Sequence, residues 1–107
     1  LQEASIEQDG RVLKINLLQM DNAVLAICHE GAMKMGTLAI STPGLRDGAV
    51  GTSSVLLGGK YLIAARALAE RAAAIFNKMS LVSLNTTLAE GEALRAYSSL
   101  LDKARSK

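Results

Sequence analysis

A chain of 107 residues with a formal net charge of +2, from 12 Lys and Arg against 10 Asp and Glu, fits one domain that buries roughly 65% of the surface its unfolded form exposes. The charges are interspersed, with no basic run long enough to follow a phosphate backbone, and one Phe, two Tyr and no Trp leave nothing for bases to stack on. Nucleic acid is therefore not an expected partner, and neither is a membrane, because the apolar runs stop well short of the ~20 residues a span needs.

Half of the residues are hydrophobic but few are aromatic, so the core must be built from Leu, Ile, Val, Ala and Met in thin layers. The polar first residues do not read as a secretory signal. A single Cys28 cannot form an internal disulfide, and with one histidine, His29, it cannot supply a clustered metal site. A soluble cytoplasmic chain without metal or cofactor is the expectation.

Asp9-Gly10 suits the positive backbone angles of a two-residue turn and joins a strand over Ala4–Gln8 to one over Arg11–Met20. Asp21-Asn22 closes a second hairpin to a strand over Ala23–His29. That loop length sets Leu17 opposite Ala26 and Ile15 opposite Cys28 on one face, with Lys14 opposite His29 on the other. A fourth strand covers Gly36–Thr42, with Leu38 and Ile40 in alternation, and ends at Pro43-Gly44. A fifth covers Val50–Leu57, its Val55-Leu56-Leu57 end read as buried.

Gly58-Gly59 then breaks the chain, and Lys60–Lys78 turns helical, with Tyr61, Leu62, Ala65, Leu68, Ala72, Ile75 and Phe76 on one stripe and Arg66, Glu70 and Arg71 off it. The alanines favour helix and close packing, and Asn77 is a natural stop. Met79–Leu84 reads as a short strand buried on both faces. Thr87 with Glu90 three residues on forms a capping-box pattern for a last helix striped by Leu94, Tyr97, Leu101 and Ala104. The order β-β-β-β-β-α-β-α predicts a single α+β domain, a mainly antiparallel sheet of about six strands covered by two helices.

Catalytic chemistry is sparse. Gly51 to Lys60 approaches a phosphate loop, yet Ser54 stands where the nucleotide motif needs glycine, and Tyr61 where it needs Ser or Thr. Cys28 and His29 are adjacent on a strand, so they point to opposite faces and cannot act as nucleophile and base. Cys28 reads as core and His29 as a solvated or interface residue. Glu90 and Glu92 complement the helix dipole, and Arg66 with Glu70 forms an exposed pair one turn apart. Asn85-Thr86-Thr87 matches a glycosylation acceptor but reads more simply as a strand end before a helix cap. Two exposed segments remain as partner-binding candidates: Met33, Lys34 and Met35, whose thioethers make adaptable contacts, and the loop carrying Arg46 and Asp47.

From Thr52-Ser53-Ser54-Val55-Leu56-Leu57-Gly58, through Ala67-Leu68-Ala69-Glu70-Arg71-Ala72, to Leu81-Val82-Ser83-Leu84-Asn85, the chain resembles the proteasome assembly chaperone 4 family. The strand–turn–strand of Leu17–Met20, Asp21 and Ala23–Ile27, with a further apolar strand at Thr37–Ile40, is similar as well, and the likeness runs from about Arg11 to Lys103. It implies a small α+β domain that pairs with its own copy or a related assembly chaperone, has no enzymatic activity, and helps proteasome α-type subunits form rings. Some proteasome assembly factors insert a hydrophobic-Tyr-any tail between ring subunits. Ala104-Arg105-Ser106-Lys107 lacks it, so contact through a folded surface is expected. A dimeric scaffold in a trafficking or signalling complex is the alternative use of such a domain, and a nucleotide-binding protein using the Gly58-Gly59 turn is a third.

Overall fold

The computed structural model describes residues 1–44 and 51–106. Eight elements follow one another: strands β1 (Gln2–Gln8), β2 (Arg11–Gln19), β3 (Ala23–Glu30), β4 (Thr37–Thr42) and β5 (Thr52–Leu57), helix α1 (Leu62–Phe76), strand β6 (Met79–Asn85) and helix α2 (Glu90–Arg105). The six strands form one sheet in the order β1-β2-β3-β6-β4-β5, antiparallel except where β3 lies parallel to β6. The α+β architecture and element order are those expected.

Asp9 and Gly10 both take positive φ, 53° and 78°, which matches the right-handed twist of the strands they join. The second hairpin closes with the Met20 amide donating to the Ala23 carbonyl at 2.8 Å. Its register sets Leu17 opposite Ala26, Ile15 opposite Cys28 and Lys14 opposite His29, as the turn predicts. At the far side of the sheet, β4 and β5 pair with an irregularity between Leu38 and Ala39.

Both helices lie on one face: α2 packs on β1 and β2, α1 on β4, β5 and β6, and the helices touch each other. An Arg71–Asp102 ion pair, 2.8 Å at its shorter contact, links them at the surface. Beneath them Leu13, Ile15, Leu17, Val24, Ala26, Cys28, Val82 and Leu84 form the sheet's share of the core. The α1 side is almost all alanine, with Ala64, Ala65, Ala69 and Ala72 around Leu68, so the helix sits close to the strands. On α2, Tyr97, Leu100 and Leu101 supply the bulk, and the Tyr97 hydroxyl donates to the buried carbonyl of His29 at 2.8 Å.

Several local expectations give way to long-range packing. Leu62 leaves the α1 stripe and is exposed, because the first turn of α1 projects past the sheet; Ala64 and Ala69 face inward in addition to Ala65, Leu68 and Ala72. Asn77 does stop the helix, in a left-handed conformation. The capping box does not form: α2 starts after Ala89, the Thr87 hydroxyl donates to Glu30, and the Glu90 carboxylate serves α1 instead. Arg66 and Glu70 do not pair with each other; both bond Ser53 on β5. His29 is 2% exposed rather than solvated. Cys28 is buried as a core residue.

Candidate partner-binding surfaces

Alternation along the strands decides what the face opposite the helices presents. With Leu13, Ile15 and Leu17 turned to the helices, β2 turns Val12, Lys14, Asn16 and Leu18 the other way. Leu18 stands opposite Leu25, Leu25 opposite Leu81, and Leu81 opposite Ile40, which gives an apolar row across β2, β3, β6 and β4. Neither helix covers it. Leu38 and Ile40, which alternate along β4, belong to this open face and are partly exposed, while Ala39 between them is fully buried against α1.

Next to the row lies a polar chain. His29 Nδ1 donates to the Gly31 carbonyl at 3.0 Å, its Nε2 lies 2.9 Å from Asn16 Oδ1, and Asn16 Nδ2 donates to Glu3 at 3.1 Å. Lys14 adds a loose ion pair to the same Glu3 oxygen at 3.6 Å. These bonds explain how His29 and Asn16 stay buried on a face that is otherwise open.

A second surface forms at the end of the sheet where β3, β5 and β6 finish and both helices begin. The loop carrying Met33, Lys34 and Met35 crosses the end of β6 on its way from β3 to β4. All three residues are exposed, Met35 at 61%. Gly36 passes so close that a Cβ there would stand 2.1 Å from the Leu84 carbonyl oxygen, and its amide donates to Ser83 Oγ at 2.9 Å. Only glycine fits this approach.

The same end holds exposed Leu56 and Leu57 on β5 and Leu62 and Ile63 on α1. Sequence periodicity placed Leu56 and Leu57 in the core; β5 is instead the last strand of the sheet, and its end runs past the cover of α1. Gly58, at φ +105°, turns the chain under Thr37, whose hydroxyl donates to the Lys60 carbonyl. The following Tyr61 takes φ 57° and ψ 36°, a left-handed conformation uncommon for a bulky residue. Its hydroxyl proton is shared by the carbonyls of Thr86 and Leu88, at 2.8 and 2.7 Å. Burial, with Glu30 and Glu90 nearby, pushes its pKa above the ordinary value. An open groove lined by Lys60, Leu62, Ile63, Leu88 and Ala89 lies between the starts of the two helices.

The structure therefore brings Met33, Lys34 and Met35 to a surface shared with β5 and α1. Arg46 and Asp47 lie outside the described residues. Leu57 and Ile63 escaped the sequence reading because apolar strand and helix residues read as core until the limits of the covering layer are known. Among the described residues, no three His, Cys, Asp or Glu side chains are grouped to hold a metal ion. Among the same residues, no helix is long and apolar enough to cross a membrane. No protein-family model matches the chain, and no curated protein matches it.

Proposed function

We propose that this protein is a non-enzymatic assembly chaperone that acts as a dimer in the cytoplasm and helps place proteasome α-type subunits during ring formation. The partner rests on the sequence resemblance to the proteasome assembly chaperone 4 family. The observation that carries the dimer is the uncovered row Leu18–Leu25–Leu81–Ile40, an apolar band on a sheet face that the helices leave bare. A mostly antiparallel sheet can leave one face to water when that face is polar; an apolar row there is instead the kind of surface that a second copy or a related chain covers. A standard interface of this kind buries on the order of 1,600 Å² in total.

A chaperone of this type acts by differential affinity, binding the incomplete ring more tightly than the finished particle so that it leaves on completion. Covering the sheet face by dimerisation leaves the helix-start end of each protomer free for the client. Light scattering should report twice the 11.2 kDa of one chain, and Leu81→Asp should halve that mass without unfolding the protein. Native mass spectrometry with recombinant α-type subunits then tests the partner. Lack of association with both free subunits and ring intermediates would overturn the proteasome assignment, and a monomeric parent chain would overturn the dimer.

A further inference from the structure

Each hydrogen bond in the polar chain on the open sheet face has a direction, and with a neutral imidazole the directions do not close. The Gly31 carbonyl can only accept, so one proton of His29 is committed to it from Nδ1, at 3.0 Å. At the other end the Glu3 carboxylate can only accept as well, so the Asn16 amide nitrogen, 3.1 Å away, donates to it. That bond turns the Asn16 carbonyl oxygen towards His29 Nε2, at 2.9 Å. A neutral ring with its proton on Nδ1 sets a bare lone pair against that oxygen. Turning the Asn16 amide over only moves the conflict to Glu3, where oxygen then faces oxygen.

Burial makes the conflict costly, because His29 and Asn16 are too enclosed for water to supply the missing donor. One added proton removes it: an imidazolium donates from both nitrogens, and Glu3 answers its charge through the Asn16 amide. The surroundings of His29 hold few other charges. Lys14, opposite it on β2, opposes a second cation, yet its own ammonium leans on the same Glu3 oxygen at 3.6 Å. On the other side β6 brings the uncharged Asn85, and α2 brings the Tyr97 hydroxyl, which bonds the His29 main chain. The neighbours Cys28 and Glu30 turn to the helix side, into the core and towards Thr86 and Thr87. The loop after Gly31 carries one charge, the exposed Lys34.

We propose that Glu3, Asn16 and His29 form a proton-operated latch on the open sheet face. With His29 as imidazolium the latch is closed and ties Glu3 on β1 to Asn16 opposite it on β2. Loss of the proton to water lets the Asn16 amide turn over and donate to Nε2, which releases Glu3 to Lys14. Glu3 is the solvent end of the latch, its side chain 55% exposed, so its carboxylate has room to swing away. Histidine is the side chain whose charge ordinarily changes between about pH 5 and 8. Opening changes the charge beside the row Leu18–Leu25–Leu81–Ile40 by one unit and frees a carboxylate on the edge strand, so a partner that covers the row meets a different surface in each state. The latch itself does not depend on what that partner is.

His29 is the only histidine, so nitrogen NMR of the full chain follows a single imidazole between pH 5 and 9. In the closed state both ring nitrogens should carry the shift of a protonated nitrogen, and loss of the Nε2 proton should move the Asn16 side-chain amide signals at the same midpoint. Glu3→Gln puts a donor where the carboxylate stood, so Asn16 can turn over without an added proton; His29 should then bind its second proton about tenfold more weakly, with the midpoint about one pH unit lower. Glu7→Gln removes the same charge from the same strand, but Glu7 stands opposite Val12, and its midpoint should be that of the parent. Both positions are exposed, so circular dichroism should show an intact fold. A ring that stays neutral down to pH 5, Asn16 amide signals that do not move as the ring titrates, or equal midpoints for the two variants would overturn the latch.

Discussion

One carboxylate oxygen of Glu90, the first residue of α2, accepts hydrogen bonds from the amides of Ile63 and Ala64 in the first turn of α1, both at 2.8 Å. Helix α1 has no side-chain cap of its own, since its N-cap position is Tyr61 and its first turn holds no acid. The second helix therefore caps the first, satisfying two of its free donors and placing negative charge at the positive end of its dipole.

Replacing Glu90 by Ala should consequently destabilise the domain by about 1 kcal/mol, the usual worth of an N-cap. Glu90→Gln, which keeps an acceptor but removes the charge, should lose less. Urea unfolding with an unchanged m-value is the measurement, and a Glu90→Ala midpoint equal to that of the parent chain would show that water replaces the cap.

Stability should also respond to acid through Glu30. Burial alone would raise its pKa above 4.5, but hydrogen bonds from the Thr86 hydroxyl and from the Thr87 amide and hydroxyl, with Arg11 nearby, prevail and hold it below that value. A pKa lower in the folded than in the unfolded chain means stabilisation that is complete above the unfolded value and lost as the pH falls through the folded one. Glu30→Gln should lower the unfolding midpoint at pH 7, and its curve should converge with that of the parent chain below about pH 4.5. Parallel curves down to pH 2 would refute this.

Cys28 is fully buried, and burial pushes its thiol pKa far above the ordinary value. Because the thiolate is the reactive form, a disulfide reagent at pH 8 should modify the native protein only as fast as it opens, while the denatured chain reacts at once. Cys28→Ser, which puts a hydroxyl among Ile15, Ala26 and Leu84, should cost about 1–3 kcal/mol in thermal or urea unfolding.

Tyr97→Phe removes the 2.8 Å bond to the His29 carbonyl while retaining the ring that fills the space under α2. The expected loss is about 1–2 kcal/mol, since a buried carbonyl loses a donor without gaining access to water. Slower amide exchange in β3 of the variant than of the parent would contradict this role.

Features set by neighbours in sequence were legible: the Asp9-Gly10 turn, the pairing of Ile15 with Cys28, the stop at Asn77 and the alanine face of α1. Each depends on turn chemistry or periodicity within a few residues. What was not legible depends on segments far apart in the chain. Thr87 and Glu90 have the spacing of a capping box, but Glu30 and α1 compete for them and win. His29 was read as a solvated or interface residue because its partner Asn16 comes beside it only in the folded sheet. Of the candidate surface, the exposure of Met33, Lys34 and Met35 was legible from their place between two glycines, while that of Leu57 and Ile63 needed the edge position of β5 to be known.

The place of β6, parallel to β3 and between β3 and β4, sets the order in which the molecule can be completed. As the chain leaves the ribosome, the three-stranded meander β1–β3 and the hairpin β4–β5 both emerge before the strand that must separate them. Until β6 has been made, these two pieces present the inner edges of β3 and β4 to each other and to any other nascent chain, and the sheet cannot close. The emerging protein is therefore most open to mispairing just before β6 appears, and a delay in synthesis at that point should favour aggregation more than one at any earlier position.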